Sequence, residues 1–149
     1  MPEKYQKKID ASKVDKAEDA GLLFDREHTI DSLRSNFYFL ETHDPIFYQL
    51  ASAAEQFFAI DPNTSIVKLR QFAEALAKDI ASRFNIPPYS YTNQNELIYQ
   101  IDRKINLDSR IKDIFHTLRK EGNKAVHEFT FGDHRQALIA LGLAHKLAV

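Results

Sequence analysis

Arg119, Asn123 and His127 step by four through the segment Leu118-Arg119-Lys120-Glu121-Gly122-Asn123-Lys124-Ala125-Val126-His127-Glu128. On a helix these three side chains stack on one face, so a guanidinium, an amide and an imidazole share a stripe. Such a stripe reads either as the remnant of a ribonuclease site or as a polar lock between packed helices. Gly122 lies beside it, where a missing side chain lets another helix approach. A helical Gly costs about 1 kcal/mol relative to Ala, so packing has to compensate.

Arg70 and Glu74 are the candidate partners for a lock. One turn apart, they form an i,i+4 pair worth about 0.3–0.5 kcal/mol if exposed. If they reach the stripe instead, they give it the partners that buried charges need. In that reading Asn123 and His127 satisfy each other or a neighbouring carbonyl. Replacing either by Ala is then expected to lower thermal stability.

A second set of residues could touch a nucleic-acid backbone. Arg103, Lys104, Arg110, Lys112, Lys120 and Lys124 cluster with Arg119 along two adjacent helical segments. Asp102, Asp108, Asp113 and Glu121 interleave with them. The pattern reads as a mixed solvated surface or as a weak, salt-sensitive phosphate-contacting stripe. No aromatic residues interleave to make a single-strand stacking platform.

Other chemistries are excluded or unsupported. There is no GxxxxGK[ST] loop and no HExxH. The chain has no Cys, which removes thiolate nucleophiles, disulfides and Cys-based zinc sites. Its six His residues show no ligand spacing. No metal or catalytic residue is therefore assigned, and no cofactor is expected in this chain.

The elements that must position these residues are helices. Asp44-Pro45 opens one carrying Ile46, Phe47, Leu50, Ala54, Phe57 and Phe58 at three-four spacing. Asp61-Pro62-Asn63-Thr64 ends it and caps a second, with Ile66, Leu69, Phe72, Ala73, Leu76, Ile80 and Phe84 on one face. Pro87-Pro88 stops that helix. Asn93 with Glu96 resembles a capping box before Leu97, Ile98, Ile101 and Ile105. Asp108 or Ser109 caps the helix that holds the stripe, whose apolar side runs through Ile111, Ile114, Phe115, Leu118, Gly122, Ala125, Val126 and Phe129. Asp133 caps a last helix presenting Ala137, Leu138, Leu141, Ala144 and Ala148. No useful strand alternation occurs, so the expected fold is an all-α bundle of about five helices.

The 149 residues suit one domain with a tail. Residues 1–34 read as a charged extension, flexible or loosely docked through Gly21-Leu22-Leu23-Phe24. Residues 35–149 read as the helical domain. The apolar pattern still runs at Val149, so a piece of a longer multidomain chain is expected. A net charge of -1 gives no overall field toward nucleic acid or membrane. No apolar run approaches the roughly 18 residues of a membrane span, and no secretory signal is visible. Cytoplasmic location is the expectation.

Arg119 to His127 resembles the HEPN superfamily of helical domains. Active members are ribonucleases in which an Arg precedes a His by four to six residues, the Arg usually followed by Asn. Asn123 and His127 fit that pattern, but Gly122 occupies the Arg position and Arg119 lies outside the window. Without that Arg, charge developing on phosphorus lacks its stabiliser. A stand-alone ribonuclease or toxin, or an interaction module of another multidomain protein, are the alternatives carried forward.

A broader resemblance covers residues 35 to 149. It is carried by Ser35-Asn36-Phe37, Phe39-Leu40, Asp61-Pro62-Asn63-Thr64, Lys68, Arg70, Phe72, Glu74, Ala75, Ile86-Pro87-Pro88, Leu118-Arg119 through Gly122-Asn123 with Ala125-Val126-His127-Glu128, and Leu147-Ala148-Val149. Together these resemble the N-terminal HEPN-like domain of the R subunit of type I restriction-modification enzymes. The resemblance implies a parent that cleaves unmodified DNA after ATP-driven translocation, using ATP and Mg in segments beyond this chain. It implies a non-catalytic module here, with the methyltransferase and specificity subunits, and DNA, as partners.

Overall fold

The computed structural model describes residues 34–128 and 130–149. The expected N-terminal extension and Phe129 fall outside the described residues. Ser35–Val149 forms one compact unit of five α-helices and two short 3-10 turns. The helices are α1 (Pro45–Phe58), α2 (Pro62–Arg83), α3 (Gln94–Ile105), α4 (Ser109–His127) and α5 (His134–Ala148). No strand occurs among the described residues. The all-α bundle of about five helices read from periodicity is the fold observed.

Each start is fixed by a side chain that satisfies an orphan amide. Asp44 accepts from Ile46 N–H, Asp61 from Thr64, Asn93 from Glu96, Asp108 from Arg110 and Asp133 from Gln136. Gln136 returns the favour to Asp133 N–H, completing a capping box that the sequence pattern did not suggest. The expected box at Asn93 is shifted by one residue, because Glu96 accepts from the amide and hydroxyl of Thr92 instead. These two bonds hold its carboxyl below the usual range. The α2 and α3 ends use left-handed asparagines, Asn85 (φ 56°) and Asn106 (φ 51°), in place of glycine. After Asn85 the chain turns back, and Ile86 N–H bonds Ala81 O at 2.8 Å.

α2 is the central element and contacts all four other helices. It buries Ser65, Ile66, Leu69, Phe72, Ala73, Ala77 and Ala81. Phe72 meets Phe37 and Phe47 with ring centroids 6.0 and 6.2 Å apart. Ala73, Ala77 and Ala81 lie at four-residue steps, a small-residue row that lets neighbours pack closely. Ser65 is fully buried and donates to Ala54 O on α1 at 2.7 Å. Asn36 ties the leading 3-10 turn to α1 by donating through its amide nitrogens to Glu55.

Four expected core positions lie outside the core. Ile46, Leu138 and Val126 are 57%, 61% and 45% exposed, and Phe84 caps α2 rather than extending its face. The α1 stripe is centred on Phe47, Ala51 and Ala54, which turns Ile46 to the rim. On α5 the buried row is Ala137, Ala140 and Ala144. Its small residues set the close approach, and Leu138, one residue on, is rotated about 100° away.

Candidate functional site

Gly122 is pressed against the stem of Arg70 where α4 crosses α2. A Cβ at Gly122 would fall on Arg70 Cβ and lie 2.6 Å from its Cδ. The close approach brings the Arg70 guanidinium alongside α4, and Arg70 Nε donates to Asn123 Oδ1 at 2.9 Å. Both side chains are half-buried. A charge-assisted bond of this kind is stronger than a neutral one and restricts the crossing to one register.

The rest of the stripe divides. His127 is exposed and makes no hydrogen bond to a described residue, so it does not pair with Asn123. The cause is rotation about the helix: the core stripe of Phe115, Leu118, Gly122 and Ala125 turns His127 to solvent. Arg119 is half-buried, and its Nε has no partner among the described residues. Arg119 and His127 are two turns apart, about 12 Å along the axis. The expected Arg70–Glu74 pair is not made: Glu74 bridges Lys78 at 3.0 Å, and Arg70 turns to α4.

Asn63 is a second joint, and its role was not read from the sequence. Its Nδ2 donates to Ala125 O at 2.7 Å, and its Oδ1 accepts from Gly132 N–H at 3.1 Å. One amide thus joins the start of α2, the last turns of α4 and the turn into α5. A Cβ at Gly132 would lie 2.8 Å from Asn63 Cα, so the turn passes too close for a side chain. The available signal was redundancy. Asp61 already caps α2, so Asn63 is free to bond elsewhere.

The basic residues are arranged unevenly. Lys112 bridges Asp102 at 3.1 Å, Arg103 lies over the Tyr99 ring at 5.8 Å and Lys124 over the Phe131 ring at 5.5 Å. Lys104, Arg110 and Lys120 are exposed and make no ion pair with a described residue. Lys120 and Lys124 lie on the outer side of α4, away from its core stripe, and Arg110 on its flank.

A cavity of about 340 Å³ lies between α3 and α4, lined by Asn95, Glu96, Ile98, Tyr99, Asp102, Lys112 and His116. The His116 imidazole is held below its ordinary value of 6.5, first by burial and then by Arg119 and Lys120. Its Nδ1 is buried without a partner among the described residues. No cluster of three or more His, Cys, Asp or Glu that could hold a metal occurs among the described residues.

Residues 52–148 match the family model described as Domain of unknown function (DUF4145). The chain belongs to the DUF4145 family. It is also 40% identical over 116 residues to the type I restriction enzyme EcoKI endonuclease subunit of Escherichia coli (strain K12). That alignment covers 78% of this chain and 10% of the relative, so the chain spans about a tenth of that protein's length. The relative is of the class that the Asp61–Thr64 and Gly122–Glu128 motifs resemble. No solved structure matches the chain. No described helix is long and apolar enough to cross a membrane.

Proposed function

We propose that this chain is a non-catalytic helical module of a type I restriction endonuclease subunit. The parent subunit cleaves unmodified DNA after ATP-driven translocation, with ATP and Mg acting in nuclease and motor segments outside this chain. The module works in the cytoplasm, docked on the methyltransferase and specificity subunits. Its outer α4 face, with Lys120 and Lys124 and with Arg110 on the flank, adds weak contacts to the DNA backbone, and Lys104 and Arg103 extend that face onto α3.

The observation that carries the reading is the fate of the signature stripe. Gly122 stands where a ribonuclease needs its Arg, Asn123 is spent on Arg70, and His127 faces solvent alone. On this reading the stripe serves as a helix joint rather than as a phosphodiester site. The 40% identity to a restriction endonuclease subunit supports the parent.

Immobilised chain tests the docking. Retention of the methyltransferase–specificity complex from the same genome is the expected result. Passage of that complex without retention contradicts the docking role.

A further inference from the structure

α5 differs from the other four helices in carrying no carboxylate. α1 has Glu55, α2 has Glu74 and Asp79, α3 has Glu96 and Asp102, and α4 has Asp113 and Glu121. The 15 residues of α5 include no Asp or Glu. Its inner row, Ala137, Ala140 and Ala144, is buried. The face turned away from that row runs through Arg135, Leu138, Ile139, Gly142, Lys146 and Val149, all exposed. These stand at i, i+3, i+4, i+7, i+11 and i+14, the spacing of a helix face that packs against something.

Three features of this face have no use within the chain. Leu138 and Ile139 lie side by side, 61% and 55% exposed. Adjacent large apolar side chains left in water and rimmed by charge mark an interaction surface. Gly142, at the middle of the face, has no described atom within 4 Å of where its Cβ would be. Gly122 and Gly132 lack side chains because Arg70 and Asn63 fill the space. Gly142 has no such neighbour, yet a helical Gly costs about 1 kcal/mol relative to Ala. Arg135 and Lys146 bracket the apolar stretch three turns apart, about 16 Å. Both are exposed and make no ion pair with a described residue.

We propose that the outer face of α5 docks an amphipathic helix whose apolar stripe is flanked by carboxylates. The partner helix lies across Leu138 and Ile139, a bulky side chain enters the space that Gly142 leaves open, and its carboxylates pair with Arg135 and Lys146. Interaxial distance is set by the side chains at the crossing, so Gly142 brings the partner to the close end of the usual 8–10 Å or so. A second copy of α5 fits poorly, because it presents the same two cations and no carboxylate. A flat lipid surface leaves the space over Gly142 empty. The proposal rests on the docking reading given above and names the surface: the partner helix belongs to the methyltransferase–specificity complex.

The test measures binding of the whole 149-residue chain to that complex from the same genome, by interferometry over a range of salt. Gly142→Leu is the decisive variant. It adds a side chain into open space on an exposed helix, so its melting temperature is expected to hold or rise. Its affinity is expected to fall about tenfold or more, as for an obstruction at the centre of an interface. Leu138→Gln with Ile139→Gln is expected to weaken binding similarly. Arg135→Gln with Lys146→Gln is expected to slow association and flatten its dependence on salt. Lys78→Gln, exposed on α2, is expected to change nothing. A photo-crosslinking side chain at position 142 is expected to label a partner helix bearing Asp or Glu beside its apolar stripe. Binding that Gly142→Leu leaves unchanged or tightens overturns the α5 face and leaves docking by another surface standing. Absence of binding by the unaltered chain overturns the docking reading and this proposal with it. Sedimentation of the chain alone as a dimer, or with vesicles containing phosphatidylserine, in a form abolished by Gly142→Leu, assigns the face to a second copy or to lipid and also overturns the proposal.

Discussion

Gly122 and Arg70 occupy one position in space: the glycine has no side chain because the arginine stem fills where it would be. This relation turns the Arg70 guanidinium along α4 to Asn123. It ties Asn123 into a joint between α2 and α4.

Gly122→Ala tests the contact directly. In an open helix this change stabilises by about 1 kcal/mol. Here the added methyl meets Arg70 Cβ, which is fixed to the α2 backbone and cannot swing away. The expected outcome in urea unfolding is a net loss of about 1–3 kcal/mol, the usual cost of overpacking. A gain in stability shows that the helices part at no cost.

The Arg70–Asn123 bond is measured by a double-mutant cycle. Asn123→Ala and Arg70→Met are each expected to destabilise, with a coupling of about 1–2 kcal/mol, within the range for hydrogen bonds to charged groups. His127→Ala is expected to leave the melting temperature unchanged, because the ring is exposed and makes no bond to a described residue. Additive effects of the first two changes contradict the bond.

Asn63→Asp separates a cap from a bridge. Aspartate is as good as asparagine near a helix start, so a capping role predicts little change. As a bridge, the new carboxylate cannot donate to Ala125 O and places charge against a carbonyl. The expected loss is about 2 kcal/mol, the penalty for leaving a buried partner unpaired. Hydrogen exchange localised at the α4 C-terminus and the Gly132 turn checks where the damage falls.

Stability is expected to fall with acid in two stages. His116 has a lowered value in the fold, so below 6.5 the unfolded chain binds the proton that the folded chain resists. Its contribution is fully present above 6.5 and declines as pH drops from there toward the folded value. Asp61 is lowered by its bonds from Thr64, and Glu96 by those from Thr92. Their contributions are present above 3.8 and 4.5 and are lost as pH falls through their folded values. His116→Gln is expected to flatten the first stage only, as read by melting temperature against pH.

Much of this fold was legible because its signals are local. Asp44, Asp61 and Asp133 announce helix starts whatever the core does, and Pro87-Pro88 forbids continuation. The facing of each helix was less legible. Leu138 is more apolar than Ala140, yet α5 buries the alanine because the approach to α2 selects size over hydropathy. Gly122 marked a close crossing, but which side chain filled the space depended on the α2–α4 register, a contact across some fifty positions of chain. Asn63 and Ser65 were hidden for the same reason: their bonds go to carbonyls of other helices. Arg70–Glu74 looked like a pair by spacing alone, and tertiary competition gave each a different partner.

The measurement that bears most directly on a nucleic-acid-engaging module without catalysis is a mobility shift of this chain on duplex DNA at low and moderate salt, with an RNA cleavage lane beside it. The expected result is a weak shift that fades as salt rises, reduced in Lys120→Gln with Lys124→Gln, and no cleavage of either nucleic acid. RNA cleavage that disappears in His127→Ala would contradict it and make the exposed imidazole a catalytic residue.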